Sequence, residues 1–187
     1  LNIPENKLKR YVMALILLFR NIRYWKLLFK HFQYNGFRDL NTILLFNFYK
    51  QFKNYDIIHV QYGTNVKPVD ILKQVGLLKS KLIVSFHGHD LSFPINGIIK
   101  NEGYYDVLFK SADLLVTNTP YLEKSLLELG APKEKVLSIP VGVDNKIFSP
   151  VFEKHNLSTE CRLISVGRLV RIKGNIYGIE CLKKLVD

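Results

Sequence analysis

From Tyr55 onward, short runs of apolar and β-branched residues alternate with stretches of helical period, and this alternation limits the chain to few architectures. The runs cover residues 56–60, 81–86, 113–117 and 136–139. Helical patterns fill 66–78 and 104–111, and a third stretch opens at Pro120 and stops at Gly130. Near-continuous apolar strands separated by helices predict a parallel sheet covered on both faces. Right-handed crossovers then predict a doubly wound α/β domain. Ligands of such sheets sit beyond the C-terminal ends of the strands. That rule singles out the loops at 61–65, 87–93, 118–121 and 141–148.

A fifth apolar run, 162–166, predicts another buried strand, and 175–187 predicts a helix. Between them lies Gly167-Arg168-Leu169-Val170-Arg171-Ile172-Lys173-Gly174. A strand, a glycine-bounded turn with cations and a helix make a candidate phosphate site. Arg168 offers bidentate geometry, Lys173 a point charge, and the helix start near Asn175 backbone donors. The plain alternative is two solvated cations beside a loop. Residues 149–160 have mixed polarity and no period, so they are expected to be a linker. The expected organisation is an N-terminal domain over 1–148, the linker, and the start of a second domain over 161–187.

At 187 residues the chain can hold one domain and a piece of another. Its hydrophobic content of 48% excludes global disorder. It opens on Leu1 and stops inside an amphipathic pattern at 182–187, so an internal fragment is expected. Cys161 and Cys181 form no CxxC pair, which argues against a disulfide framework and a zinc site. Reduced thiols in a cytoplasmic protein are expected. Asn156-Leu157-Ser158 is a chance-level glycosylation triplet.

The net charge of +11 is unevenly placed: residues 7–53 hold ten Lys or Arg against the single acid Asp39. Within this arm the apolar run 11–19 is too short to cross a bilayer, which takes about 20 residues, and no signal-peptide cleavage site follows it. Residues 7–33 predict one or two helices, and 40–52 another, with Lys50 and Lys53 near its end. On a helical wheel started at Arg20, Arg23, Lys26 and Lys30 fall together. Tyr24, Trp25, Leu28, Phe29 and Phe32 fall opposite. Aromatics opposite the cations argue against base stacking on nucleic acid. Two readings stay open, a helix with a solvated face and a helix lying on anionic lipid.

His87-Gly88-His89-Asp90 follows the second run. A histidine there borders the ligand crevice, where it could donate a hydrogen bond to a sugar hydroxyl or a phosphate. Gly88 lets backbone approach a ligand. The plain alternative is a strand-end turn bonded to backbone. Two histidines and an aspartate from one short loop make a poor closed metal site. After the fourth run, Gly142 permits an unusual backbone angle and Asp144 can bond its own turn.

Taken in order, these segments resemble bacterial-type family 4 glycosyltransferases of the GT-B fold. The match runs from Asp56 to the end. Residues 56–61 resemble the family's D-x-x-H strand, 85–91 its F-H-G-x-D-L loop, and 127–148 its "L-x-x-L-G … G-V-D … F" stretch. Residues 166–174 match its G-R-L-x-x-x-K-G turn.

The resemblance implies two Rossmann-like domains with a cleft between them. It implies transfer of a sugar from a nucleotide sugar, such as a UDP- or GDP-sugar, with retention of configuration. The acceptor would be a glycan or lipid-linked, as in surface polysaccharide synthesis on the inner face of the membrane. No cofactor, metal or nucleic acid is implied. Arg168 and Lys173, with Gly167, then correspond to the donor-diphosphate contacts and His87 to the histidine at the reacting centre. Gly88, Gly142 and Asp144 shape loops, and Gln61, Tyr62 and Gly63 are acceptor-side candidates.

The family's first strand should precede the basic arm, and its paired glutamates should lie beyond Asp187. The chain alone is therefore expected to be inactive. His89 stands where the family often has an aromatic residue. A GT-B nucleotide-sugar epimerase, a basic nucleic-acid-binding protein and a non-catalytic scaffold are the alternatives.

Overall fold

A computed structural model describes residues 5–35, 41–92, 103–149 and 162–186. Nearly all of the expected linker, Cys161 and the glycosylation triplet lie outside these residues. The chain divides into two units, Leu1–Gly142 and Val143–Asp187.

The N-terminal unit begins with three helices. α1 (Lys7–Arg20) is capped by Asn6, whose side chain accepts from the Leu8 and Lys9 N–H groups. It ends at Asn21, a buried residue whose amide donates to Leu17 O at 2.8 Å and accepts from Lys50 Nζ. One 3-10 turn (Ile22–Tyr24) leads into α2 (Trp25–Asn35), and α3 (Asn41–Tyr49) follows. Phe46 of α3 is fully buried against Tyr24 and His31.

Lys50 and Lys53 sit over the Tyr24 ring at 5.3 and 5.5 Å. Lys53 also donates to the Tyr24 hydroxyl at 2.9 Å. That hydrogen bond, and then the ammonium charge, lowers the phenol's pKa. Two of the arm's cations are thus internal. Leu28 is buried as expected, but Trp25 and Phe29, at the edge of the apolar arc, are exposed alongside Arg23, Lys26 and Lys30.

Four parallel strands follow: β1 (Ile57–Gln61), β2 (Lys81–Phe86), β3 (Leu114–Thr117) and β4 (Val136–Ser138). α4 (Val69–Gln74) joins the first two, and α5 (His89–Ser92) and α6 (Asp106–Ser111) join the next two. α7 (Pro120–Glu128), with Thr119 as its cap, leads to β4. α4 is shorter than its sequence pattern predicts: residues 66–68 form a turn before it, and Gly76 at φ +89° ends it. The α/β, Rossmann-like architecture is as expected.

The strands lie in the order β1-β2-β3-β4, so the winding runs one way among the described residues. One face is buried: Leu82, Val84, Phe86 and Leu115 share a core with Leu72, Leu108 and Leu126 of the helices. The alternate positions are different. Ile57, His59, Gln61 and Leu137 are exposed, and Ile83, Leu114 and Val116 are half-buried. Coverage of both faces, as the apolar runs predict, is therefore not found within the described residues. The one-way strand order is the physical reason, since right-handed crossovers that all step in one direction put their helices on the same face.

Away from the ligand end, Asp113 ties α4 to the sheet. Its carboxylate meets Lys73 at 2.8 Å, Lys81 at 3.0 Å and the Leu82 N–H at 2.9 Å. Partial burial pushes this carboxyl up, but the hydrogen bonds from Lys73, Leu82 and Lys81 outweigh it. They hold it well below the usual carboxylate range.

In the C-terminal unit, α8 (Asn175–Val186) forms as expected. Residues 162–166 do not form a strand: they carry no ladder, and Leu163, Ile164 and Val166 are exposed. A strand exists only by pairing, and no second strand of this unit lies among the described residues. Asp144 bonds its own turn, accepting from the Lys146 N–H at 2.9 Å. Gly142 is outside the left-handed region, and a side chain there would meet nothing within 4 Å. The unusual backbone angle that a glycine permits is not used there.

Candidate functional site

Two loops leave the C-terminal ends of β1 and β2, and one carboxylate joins them. Asp90 is buried, and its Oδ2 accepts from the Gly63 N–H at 2.7 Å. Its Oδ1 accepts from the N–H groups of His87 and Gly88, each at 3.0 Å. The buried Tyr105 hydroxyl donates to Asp90 O at 2.7 Å. Asp90 therefore fixes the backbone that presents His87. Sequence reasoning weighed this residue only as a metal ligand. The signal for its real place was an aspartate four residues after a strand end, where such side chains commonly accept from loop N–H groups.

Gly88 does need to be glycine, with φ at +104° and Leu122 Cδ2 3.7 Å from where a Cβ would stand. Gly63 is needed for a different reason. A Cβ there would lie 2.2 Å from Phe86 Cε1. Buried and bonded to Asp90, Gly63 packs the loop onto the sheet.

Tyr62 takes φ +68°, the only non-glycine residue described with a positive value. This backbone carries its ring to 4.6 Å from the His87 ring. His87 itself is exposed, and its Nε2 lies 2.8 Å from Gln61 Oε1. Gln61 Nε2 lies 3.1 Å from His59 Nε2, which lies 2.8 Å from Ser85 Oγ. Sequence reasoning missed His59 and Ser85 as parts of this site. Both face the same side of the sheet as Gln61, whose register partner is Ser85. These side chains border a 410 Å³ cleft floored by Ile83, Leu114 and Val116 on the open face. An apolar floor with a few convergent polar groups is the usual make-up of a small-molecule site.

On the C-terminal unit, Arg168 and Lys173 are exposed, and neither cationic head has a partner among the described residues. The turn is held by the Val170 N–H donating to Arg168 O and by Gly174 at φ +69°. Gly167 and Lys173 line a 440 Å³ cleft with Gly174 and Asn175. No group of three or more His, Cys, Asp or Glu that could hold a metal occurs among the described residues. Within them, no helix is long and apolar enough to cross a membrane.

Comparison with known proteins gives the family. The chain is 30% identical over 134 residues to the Escherichia coli protein named "Putative colanic acid biosynthesis glycosyltransferase WcaL", covering 71% of this chain and 32% of that protein. It is 27% identical over 130 residues to "Amylovoran biosynthesis glycosyltransferase AmsK" of Erwinia amylovora, covering 70% of this chain and 31% of that protein. The chain thus spans about a third of the length of these relatives. No solved structure matches it. The model of Glycosyltransferase Family 4 matches residues 9–146, so the chain belongs to that family.

Proposed function

We propose that the protein transfers a sugar from a nucleotide-sugar donor to a glycan or lipid-linked acceptor in exopolysaccharide synthesis, with retention of anomeric configuration. The observation that carries this reading is His87, held at the C-terminal end of a parallel sheet by Asp90 and Tyr62 above a cleft. The family and the names of the relatives support it. In this reading His87 touches the donor sugar. Arg168 and Lys173 take the diphosphate, and their fixed charge stabilises the leaving nucleotide with no metal assigned. Gln61 and Tyr62 border the acceptor side.

The test is a panel of UDP- and GDP-sugars offered to the full-length protein, with the anomer of the product read by NMR. His87→Ala, Arg168→Ala and Lys173→Ala should each lower turnover about tenfold to a hundredfold, as loss of a charge-assisted or reacting-centre hydrogen bond does. Circular dichroism should stay unchanged. If no nucleotide sugar is consumed, the reading fails; if only Arg168→Ala and Lys173→Ala are silent, the diphosphate assignment fails.

The same reading places the protein on the cytoplasmic face of an anionic bilayer through α1 and α2. Leu15, Ile16 and Phe19 of α1 and Trp25 and Phe29 of α2 are exposed. No acidic residue occurs between Asn6 and Arg38, while seven Lys or Arg lie in α1, the turn and α2. Exposed apolar groups beside a run of cations suit a headgroup boundary, where each cation adds about 1 kcal/mol. Arg23→Glu, Lys26→Glu and Lys30→Glu together should release the full-length protein from phosphatidylglycerol-containing vesicles. Unchanged cosedimentation of that variant would remove the membrane from the account.

A further inference from the structure

The polar groups between β1 and β2 form a chain with a direction. An amide has unlike ends: its NH₂ only donates and its carbonyl only accepts. Gln61 turns its Nε2 toward His59 Nε2 at 3.1 Å and its Oε1 toward His87 Nε2 at 2.8 Å. A donor facing His59 Nε2 requires that nitrogen to be bare, so His59 carries its proton on Nδ1. The Ser85 Oγ lies 2.8 Å from the same nitrogen, and with that nitrogen bare its hydroxyl shares the single lone pair with the Gln61 NH₂ in a three-centre bond. An acceptor facing His87 requires a proton on His87 Nε2. His87 Nδ1 is then bare, and it has no partner among the described residues.

Two features hold this arrangement. His59, Gln61 and Ser85 sit on paired strands of one sheet, with Gln61 opposite Ser85 in register. The Tyr62 ring packs 4.6 Å from the His87 ring, on a positive-φ backbone conformation that is strained for a non-glycine residue. The Tyr62 N–H is tied to Ser85 O at 2.9 Å, which keeps that conformation in place.

We infer that Gln61 is a positioning residue that fixes His87 as the Nε2–H tautomer, with His59 and Ser85 anchoring the far end of its amide. His87 then offers Nδ1 as a hydrogen-bond acceptor, so it recognises a hydroxyl of the sugar rather than a phosphate oxygen. Gln61 is removed from direct acceptor contact by this assignment. The ligand part rests on the proposed transferase function; the tautomer part does not.

The test is two-bond ¹H–¹⁵N correlation on full-length protein labelled at histidine nitrogens, at mildly alkaline pH where free imidazole is uncharged. The expected wild-type result is Nε2–H for His87 and Nδ1–H for His59. Gln61→Leu should turn the His87 signature into an averaged mixture. It should also lower kcat about tenfold with the donor KM nearly unchanged. Gln61→Glu, which can only accept, should keep His87 as Nε2–H and convert His59 to Nε2–H. An Nδ1–H signature for His87 in the wild type, or a tautomer unaffected by Gln61→Leu, overturns the inference. Tautomers as assigned in a protein that consumes no nucleotide sugar would instead overturn the sugar-hydroxyl ligand and the transferase reading.

Discussion

Asp90→Ala should lower the stability of the full-length protein by about 3 kcal/mol or more, since each buried donor left without a partner costs about 1–3 kcal/mol. Three N–H groups lose their acceptor at once, those of Gly63, His87 and Gly88. The Tyr105 hydroxyl keeps its bond to Asp90 O, so the damage falls on the loops and spares the helix behind them. Burial raises the Tyr105 pKa, so that hydroxyl stays protonated and the bond persists into alkali. Asp90→Asn should cost roughly half as much. Its carbonyl can still serve His87 and Gly88, while its NH₂ faces the Gly63 N–H. A thermal midpoint falling by about 10 °C for alanine, and less for asparagine, is the expected reading for a protein of this size class. A midpoint for Asp90→Ala within experimental error of wild type would show that the carboxylate does not hold the two loops together.

Gly63→Ala should be nearly as damaging, by about 2–3 kcal/mol, at the upper end of what overpacking a core does. The new Cβ would stand 2.2 Å from Phe86 Cε1, and that ring is fully buried and packed edge-on to Tyr105 at 5.5 Å. The ring has nowhere to go, so the loop must lift, which also stretches the bond from the Gly63 N–H to Asp90. Urea unfolding of Gly63→Ala, Phe86→Leu and the double variant checks the cause. The double variant should be more stable than the sum of the two single losses predicts, because the smaller side chain makes room for the methyl group. Strict additivity would place the loss elsewhere than in the Phe86 contact.

The sheet was legible in the sequence because its strands are apolar runs bounded by Gly, Pro and Asn. Residues 81–86 form β2 as read. The apolar run at 162–166 failed because a run records what a strand would bury, whereas a ladder needs a neighbour that local sequence does not name. The exposed Trp25 and Phe29 were misplaced for a related reason. A helical wheel gives angles but not the arc a neighbour covers: in α2 the buried positions are Leu28 and His31, and Trp25 and Phe29 fall at the edge of that arc. His87 was found from its place after a strand. Gly63 was named as an acceptor-side candidate, and its need to be glycine, which comes from a ring 23 residues away, was not legible. Asp90 was visible and undervalued, because a buried carboxylate that serves only backbone leaves no partner in the sequence to betray it.

The register of β1 and β2 has a consequence for how such a site can be inherited. His59, Gln61 and Ser85 share one side of the sheet, and Ile58, Val60 and Val84 share the other. One residue inserted into β1 exchanges the two sets, sending imidazole and amide into the core and isoleucine into the cleft. A chain that is to keep this site must therefore keep the spacing of its polar groups within the strands, which leaves the loops beyond the strand ends as the places where a change of length does not turn them over.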